Sequence, residues 1–147
     1  MFDFLYNDIS YLGLFIVCFL SSTLLPLASE AFVIGFIKLD FNVNLVLFVA
    51  TLGNALGSLS TYALAFFGKE KIVKKYFSKS LKKLDNFNAN FVKFGSIFAF
   101  LSFLPLVGDL FALGLGFAKY SFLKTIFFIL LGKLSRYAFI IFIANSF

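Results

Sequence analysis

Histidine is absent from this chain, and cysteine occurs once, at Cys18. The first absence removes the usual general base and the commonest metal ligand, so hydrolytic and metal chemistry lack their ordinary tools, although a carboxylate mechanism stays open. A single cysteine excludes an intrachain disulfide and a cysteine metal cluster. The chain is therefore expected to carry no cofactor and not to be an enzyme. Charge is scarce too: only 14% of residues are charged, and the run from Leu12 to Leu25 has none. A soluble domain of 147 residues could not cover its surface with so few polar groups. The first ten residues hold Asp3 and Asp8 but no Lys or Arg. Lacking the positive stretch that opens a cleavable signal peptide, the first apolar segment is expected to belong to the mature protein.

What is plentiful is apolar side chain, 61% of the residues with 25 phenylalanines among them. Lipid must supply much of the solvent, and the chain reads as a single all-α integral membrane domain. Four apolar blocks stand out: about Ile9 to Leu39, Val43 to Phe67, Phe91 to Ala118, and Phe122 to Phe147. Val43 to Phe67 and Phe122 to Ile143 are each long enough for a helix across a hydrocarbon core of about 30 Å. The other two blocks are interrupted, one at Pro26 with Glu30 close behind, the other at Pro105 with Gly108 and Asp109 following. The pieces after the breaks are short for a crossing helix. They predict re-entrant hairpins, with a proline kink in an ordinary spanning helix as the alternative.

The net charge of +6 is concentrated rather than scattered: Lys69, Lys71, Lys74, Lys75, Lys79, Lys82 and Lys83 all fall in one connector, about residues 68–90. Within it Ile72, Val73, Tyr76, Phe77, Leu81 and Leu84 recur at helical spacing. This is the pattern of an amphipathic helix on an anionic leaflet, and a solvated basic loop is the plainer reading. Either way the positive-inside rule puts the connector in the cytoplasm and both termini outside. The partners expected are membrane lipids, with no nucleic acid; protons and a homo-oligomer are left open.

Sliding the chain against itself by 79 residues brings Pro26 onto Pro105, Glu30 onto Asp109, Gly35 onto Gly114 and Gly53 onto Gly132. Two prolines, two carboxylates and two glycine pairs at one offset point to a duplication, repeat 1 at about 9–67 and repeat 2 at about 91–147. With one full crossing and one cytoplasmic connector between the copies, the second hairpin enters from the opposite face. The expected fold is thus an inverted repeat of two Pro-broken hairpins, each followed by a transmembrane helix, an arrangement that recurs in transporters.

Glu30, Asp109, Lys133 and Arg136 all fall within apolar blocks. A charge at the membrane centre costs roughly 2.5–3.5 kcal/mol, so pairing of the carboxylates with Lys133 and Arg136 is the cheapest relief. Two readings follow: a substrate or proton site at the midplane, or a structural ion-pair network. Asn54, the repeat mate of Lys133, adds a polar group, while Gly53 and Gly57, with Gly132 as the mate of Gly53, read as helix-packing positions. Tyr62 and Tyr137 could bond into the site or only pack. Ser21, Ser22, Thr23 and Ser29 are more naturally partners for backbone carbonyls near the break than nucleophiles.

Four segments carry a family resemblance: Ser22-Thr-Leu-Leu-Pro-Leu-Ala-Ser-Glu30, Gly53-Asn-Ala-Leu-Gly57 with Tyr62, Phe103-Leu-Pro-Leu-Val-Gly-Asp109, and Gly132-Lys-Leu-Ser-Arg-Tyr137. Together they resemble the DedA superfamily of VTT-domain or SNARE-associated-type membrane proteins, and most its short YqaA-like branch. The resemblance implies lipid movement across the bacterial inner membrane, of polyprenyl phosphates or phospholipids, in some members coupled to protons. It makes Glu30 and Asp109 the acidic residues of the two hairpins and Arg136 a basic residue of the last helix. Many family members carry arginines beside the second proline; here Ser102 and Gly108 stand there. The alternatives are a proton-coupled exporter of small cationic solutes and a non-transporting scaffold that binds partner helices through the Gly53 face.

Overall fold

In the computed structural model, residues 2–22, 28–68, 93–104 and 108–146 are described. Among them every regular element is helical: α1 (Phe2–Ser21), α2 (Ala28–Lys38), α3 (Val43–Phe67), α4 (Gly95–Phe100) with a 3-10 turn at Leu101–Phe103, α5 (Gly108–Phe117) and α6 (Phe122–Ser146). Both α3 and α6 are 25 residues long and apolar enough to cross a membrane. At 1.5 Å per residue each reaches about 37 Å. The first helix begins at Phe2, seven residues before the expected Ile9. Pro26, Pro105 and the lysine-rich connector lie outside the described residues.

The direction of each helix follows from its contacts. Tyr11 packs edge-on against Phe41, at 5.5 Å between ring centroids, and lies 6.3 Å from Phe36. Its hydroxyl accepts a hydrogen bond from the Asn42 backbone N–H. So α2 returns along α1 towards the level of Tyr11. From there Asn42 caps α3, its side chain accepting from the N–H groups of Asn44 and Leu45. Then α3 runs beside α1, with Gly53 against Phe15 and Cys18 and Gly57 against Phe19 and Ser22. The glycines are required there. A Cβ on Gly53 would stand 2.7 Å from the Phe15 carbonyl oxygen, and one on Gly57 would overlap Ser22 and the Phe19 carbonyl.

A second helix pair stands at the other end of α3. Phe98 of α4 stacks on Phe111 of α5, with centroids 5.2 Å apart. At the base of this pair Ser96 and Tyr120 share a hydrogen bond of 2.6 Å between their hydroxyls, and Tyr62 of α3 donates to the Tyr120 carbonyl. Near its tip Gly132 of α6 lies against the Phe100 carbonyl, and Gly108 against that of Ser102. Along its length α6 passes the base of this pair at Phe122, beside Tyr62, and ends beside α2, where Lys38 Nζ donates to the Ala144 carbonyl at 3.2 Å. It therefore runs antiparallel to α3.

Both α2 and α5 close with the same turn. Phe41 N–H bonds the Phe36 carbonyl and Asp40 N–H that of Ile37; 79 residues on, Tyr120 bonds Leu115 and Lys119 bonds Gly116. These are Schellman closures, with Asp40 (φ 60°) and Lys119 (φ 52°) in the left-handed position. The following helices start and stop in the same register, Val43 with Phe122 and Phe67 with Ser146.

Candidate functional site

The interior is divided into two apolar clusters. One joins α1 and α2 to the first half of α3 and the last half of α6, through Leu14, Val33, Val46, Ala50 and Ile141. The other joins α4 and α5 to the rest, through Ala55, Tyr62, Ala99, Leu115 and Ile129. Between them lies a layer of buried polar groups: Ser21, Ser22, Ser29, Thr51, Asn54, Ser58, Ser102, Lys133 and Arg136. In a chain this apolar, such a layer at mid-length of both long helices is where a membrane protein exposes chemistry to its interior.

Within the layer Glu30 occupies the first turn of α2, where the exposed N–H groups of a helix start favour a carboxylate. Arg136 reaches it from α6. Its Nε donates to Glu30 Oε1 at 3.2 Å, and its Nη2 donates to the same oxygen. Burial is unequal: the Arg136 side chain is 9% exposed and the Glu30 side chain 31%. The cation is thus held inside while the carboxylate borders open space. Beside this pair Tyr137 donates to Ser29 Oγ at 3.0 Å, and the Arg136 guanidinium lies 5.7 Å from the Tyr137 ring centre. Two neighbouring residues of α2 are thereby tied to two neighbouring residues of α6.

Lys133 lies one helical turn before Arg136 and is buried, 1% exposed. Asp109 is in the first turn of α5, with its side chain outside the described part; among the described residues the expected pairing is seen between Glu30 and Arg136. Asn54 turns towards α1, its Nδ2 donating to the Cys18 carbonyl at 3.1 Å and to Ser21 Oγ at 3.0 Å. Ser21 and Ser22 donate to the carbonyls of Cys18 and Phe19, the backbone-satisfying part expected of them. Thr23 lies outside the described residues. Of the two tyrosines singled out from sequence, Tyr137 bonds within the layer and Tyr62 bonds at the base of the second helix pair.

The Gly53 face packs against α1 of the same chain: Gly53, Asn54 and Gly57 all face α1. Two features were not foreseen. The Ser29–Tyr137 bond joins residues 108 apart, and no local pattern announces it. Thr51 shares a buried helix face with Asn54 and Ser58, and the spacing of three and seven residues was the available signal.

Helices long enough to span, with a charge pair and a polar layer inside, define an integral membrane protein. The match to the VTT domain model over residues 19–146 makes it a member of the VTT-domain family, in the YqaA-like branch of the DedA superfamily. An uncharacterized protein of Haemophilus influenzae is 36% identical over 142 residues, covering 91% of this chain and 87% of its own. The inner membrane protein YqaA of Escherichia coli is 34% identical over 130 residues, with 88% and 87% covered. An uncharacterized protein of Methanocaldococcus jannaschii is 27% identical over 143 residues, with 95% and 88% covered. No solved structure matches the chain. With these relatives, the chain is a protein of the bacterial inner membrane.

Proposed function

We propose that this protein moves lipid headgroups, of phospholipids or polyprenyl phosphates, across the inner membrane, and that it works as a transporter rather than an enzyme. The observation that carries the reading is the Glu30–Arg136 pair: a buried guanidinium held by a carboxylate that is itself partly open. Arg136 and Lys133 supply the positive charge for an anionic headgroup. Glu30 is the counter-ion that the headgroup displaces, and a proton on Glu30 would loosen its hold on Arg136 and admit the anion.

In this reading the two helix pairs are re-entrant hairpins of an inverted repeat, entering from opposite faces and meeting at the polar layer. The matched Schellman turns and the matched ends of α3 and α6 support a duplication, and the antiparallel course of α3 and α6 supports its inversion. Such a pair of hairpins can open the layer to either side in turn. The basic connector would rest on the cytoplasmic leaflet.

The test is transbilayer movement of fluorescent phospholipids and a polyprenyl phosphate in proteoliposomes, comparing wild type with Glu30→Gln, Asp109→Asn and Arg136→Gln, with and without a pH gradient. Movement by wild type and its loss in the charge variants is expected. An exporter of small cations acting through Glu30 would survive Arg136→Gln. Folded wild type that moves neither lipid would overturn the reading.

A further inference from the structure

Side-chain hydroxyls in these helices mostly satisfy themselves: Ser60, Thr61, Thr125 and Ser135 each donate to the carbonyl four residues back, at 2.8–3.2 Å. Thr51 does not. Its Oγ1 is buried and has no hydrogen-bond partner among the described residues. Three residues on, Asn54 has spent both amide hydrogens on α1, at the Cys18 carbonyl and Ser21 Oγ. Ser21 itself donates to the Cys18 carbonyl, which leaves its oxygen as an acceptor and fixes which way the amide points. Asn54 Oδ1 consequently faces away from these partners, buried and without a partner among the described residues.

Residues three apart on a helix share a face, with Cβ atoms about 5–6 Å apart. Asn54 Oδ1, acceptor only, and Thr51 Oγ1, acceptor and donor, thus lie on one face of α3 in the polar layer without bonding each other. Leaving both stranded in an apolar interior is costly, and such groups are normally matched by a donor. The geometry points to a small site on α3 at which Asn54 Oδ1 and Thr51 Oγ1 together receive one hydrogen-bond donor. The donor is an O–H or N–H group, carried by an internal water molecule or by the primary ammonium of a lipid headgroup.

Thr51→Val removes the hydroxyl while keeping the shape, and thermal unfolding in lipid nanodiscs reads the result without any lipid movement. Two compositions separate the sources: phosphatidylcholine alone, whose quaternary ammonium has no N–H, and phosphatidylcholine mixed with phosphatidylethanolamine. If water is the donor, the variant unfolds about 2–4 °C lower in both, the size expected for one lost hydrogen bond in a chain of this length. A headgroup ammonium predicts the same loss only where phosphatidylethanolamine is present. Thr51→Ser, which keeps the hydroxyl, should retain the wild-type dependence on lipid. A Thr51→Val protein as stable as wild type or more so in both lipids, or weakened in phosphatidylcholine alone, would overturn the site, since removing a truly stranded hydroxyl is a gain.

Discussion

Asp40 and Lys119, 79 residues apart, close α2 and α5 with the same left-handed turn, at φ 60° and 52°. The hydrogen bonds around them match one for one. Neither is the glycine that this backbone favours.

That mismatch gives the first prediction. Lys119→Gly should stabilise the protein by about 0.5–1 kcal/mol, the relief of left-handed strain less the added chain entropy of glycine. Asp40→Gly should gain less, because Asp enters this region more readily than Lys. Thermal unfolding of the two variants in one detergent checks the order; a loss at Lys119 contradicts the turn assignment.

A second prediction concerns Glu30 and Arg136. Each single change, Glu30→Gln or Arg136→Gln, removes one charge of the pair and leaves the other without this contact, whereas the double variant removes both. A double-mutant cycle on unfolding free energy should show a coupling of about 1–3 kcal/mol, with the double variant more stable than the sum of the singles implies. Additive losses would mean that the contact is not energetically real.

Third, the glycines should fall into two classes. Gly57→Leu and Gly132→Leu force side chains into backbone at helix contacts, Phe19 in one case and Phe100 in the other, and should cost at least about 1–3 kcal/mol or abolish folding. Gly35→Ala meets nothing within 4 Å and should be neutral or slightly stabilising, since alanine is the better helix former. Yield and monodispersity after detergent extraction suffice to separate the classes.

Fourth, Tyr137→Phe leaves the ring packing in place and removes the hydroxyl's bond to Ser29 and its contact with the Cys18 thiol. About 1 kcal/mol of stability should be lost. The larger effect is expected on transport, because α2 would then be tied to α6 at this level by the Glu30–Arg136 pair without its neighbour. Normal transport in the Phe variant would reduce Tyr137 to a packing residue.

Much of the architecture was legible beforehand because its signals are local. The apolar stretch from Val43 to Phe67 predicted a helix, and the helix has those ends. The last helix begins at Phe122 as expected and runs three residues past Ile143, to Ser146. The start of α1 was missed because Asp3, Asn7 and Asp8 break the apolar run, although polar residues at a helix end do not stop helical hydrogen bonding. Glu30 and Arg136 were both picked out, since a charge in an apolar block is conspicuous.

By itself, then, the sequence determined where the long helices fall, that lipid is their solvent, and which charges lie within apolar segments. Each of these depends on composition and on spacings of a few residues. Only the tertiary structure decided that Arg136 meets Glu30 across 106 residues, that Tyr137 meets Ser29, that α1 fills the glycine face of α3, and that Thr51 and Asn54 keep two oxygens unspent. Those outcomes rest on the rotation and axial register of one helix against another, which is set by the fit of all the packed side chains together and is written in no local pattern.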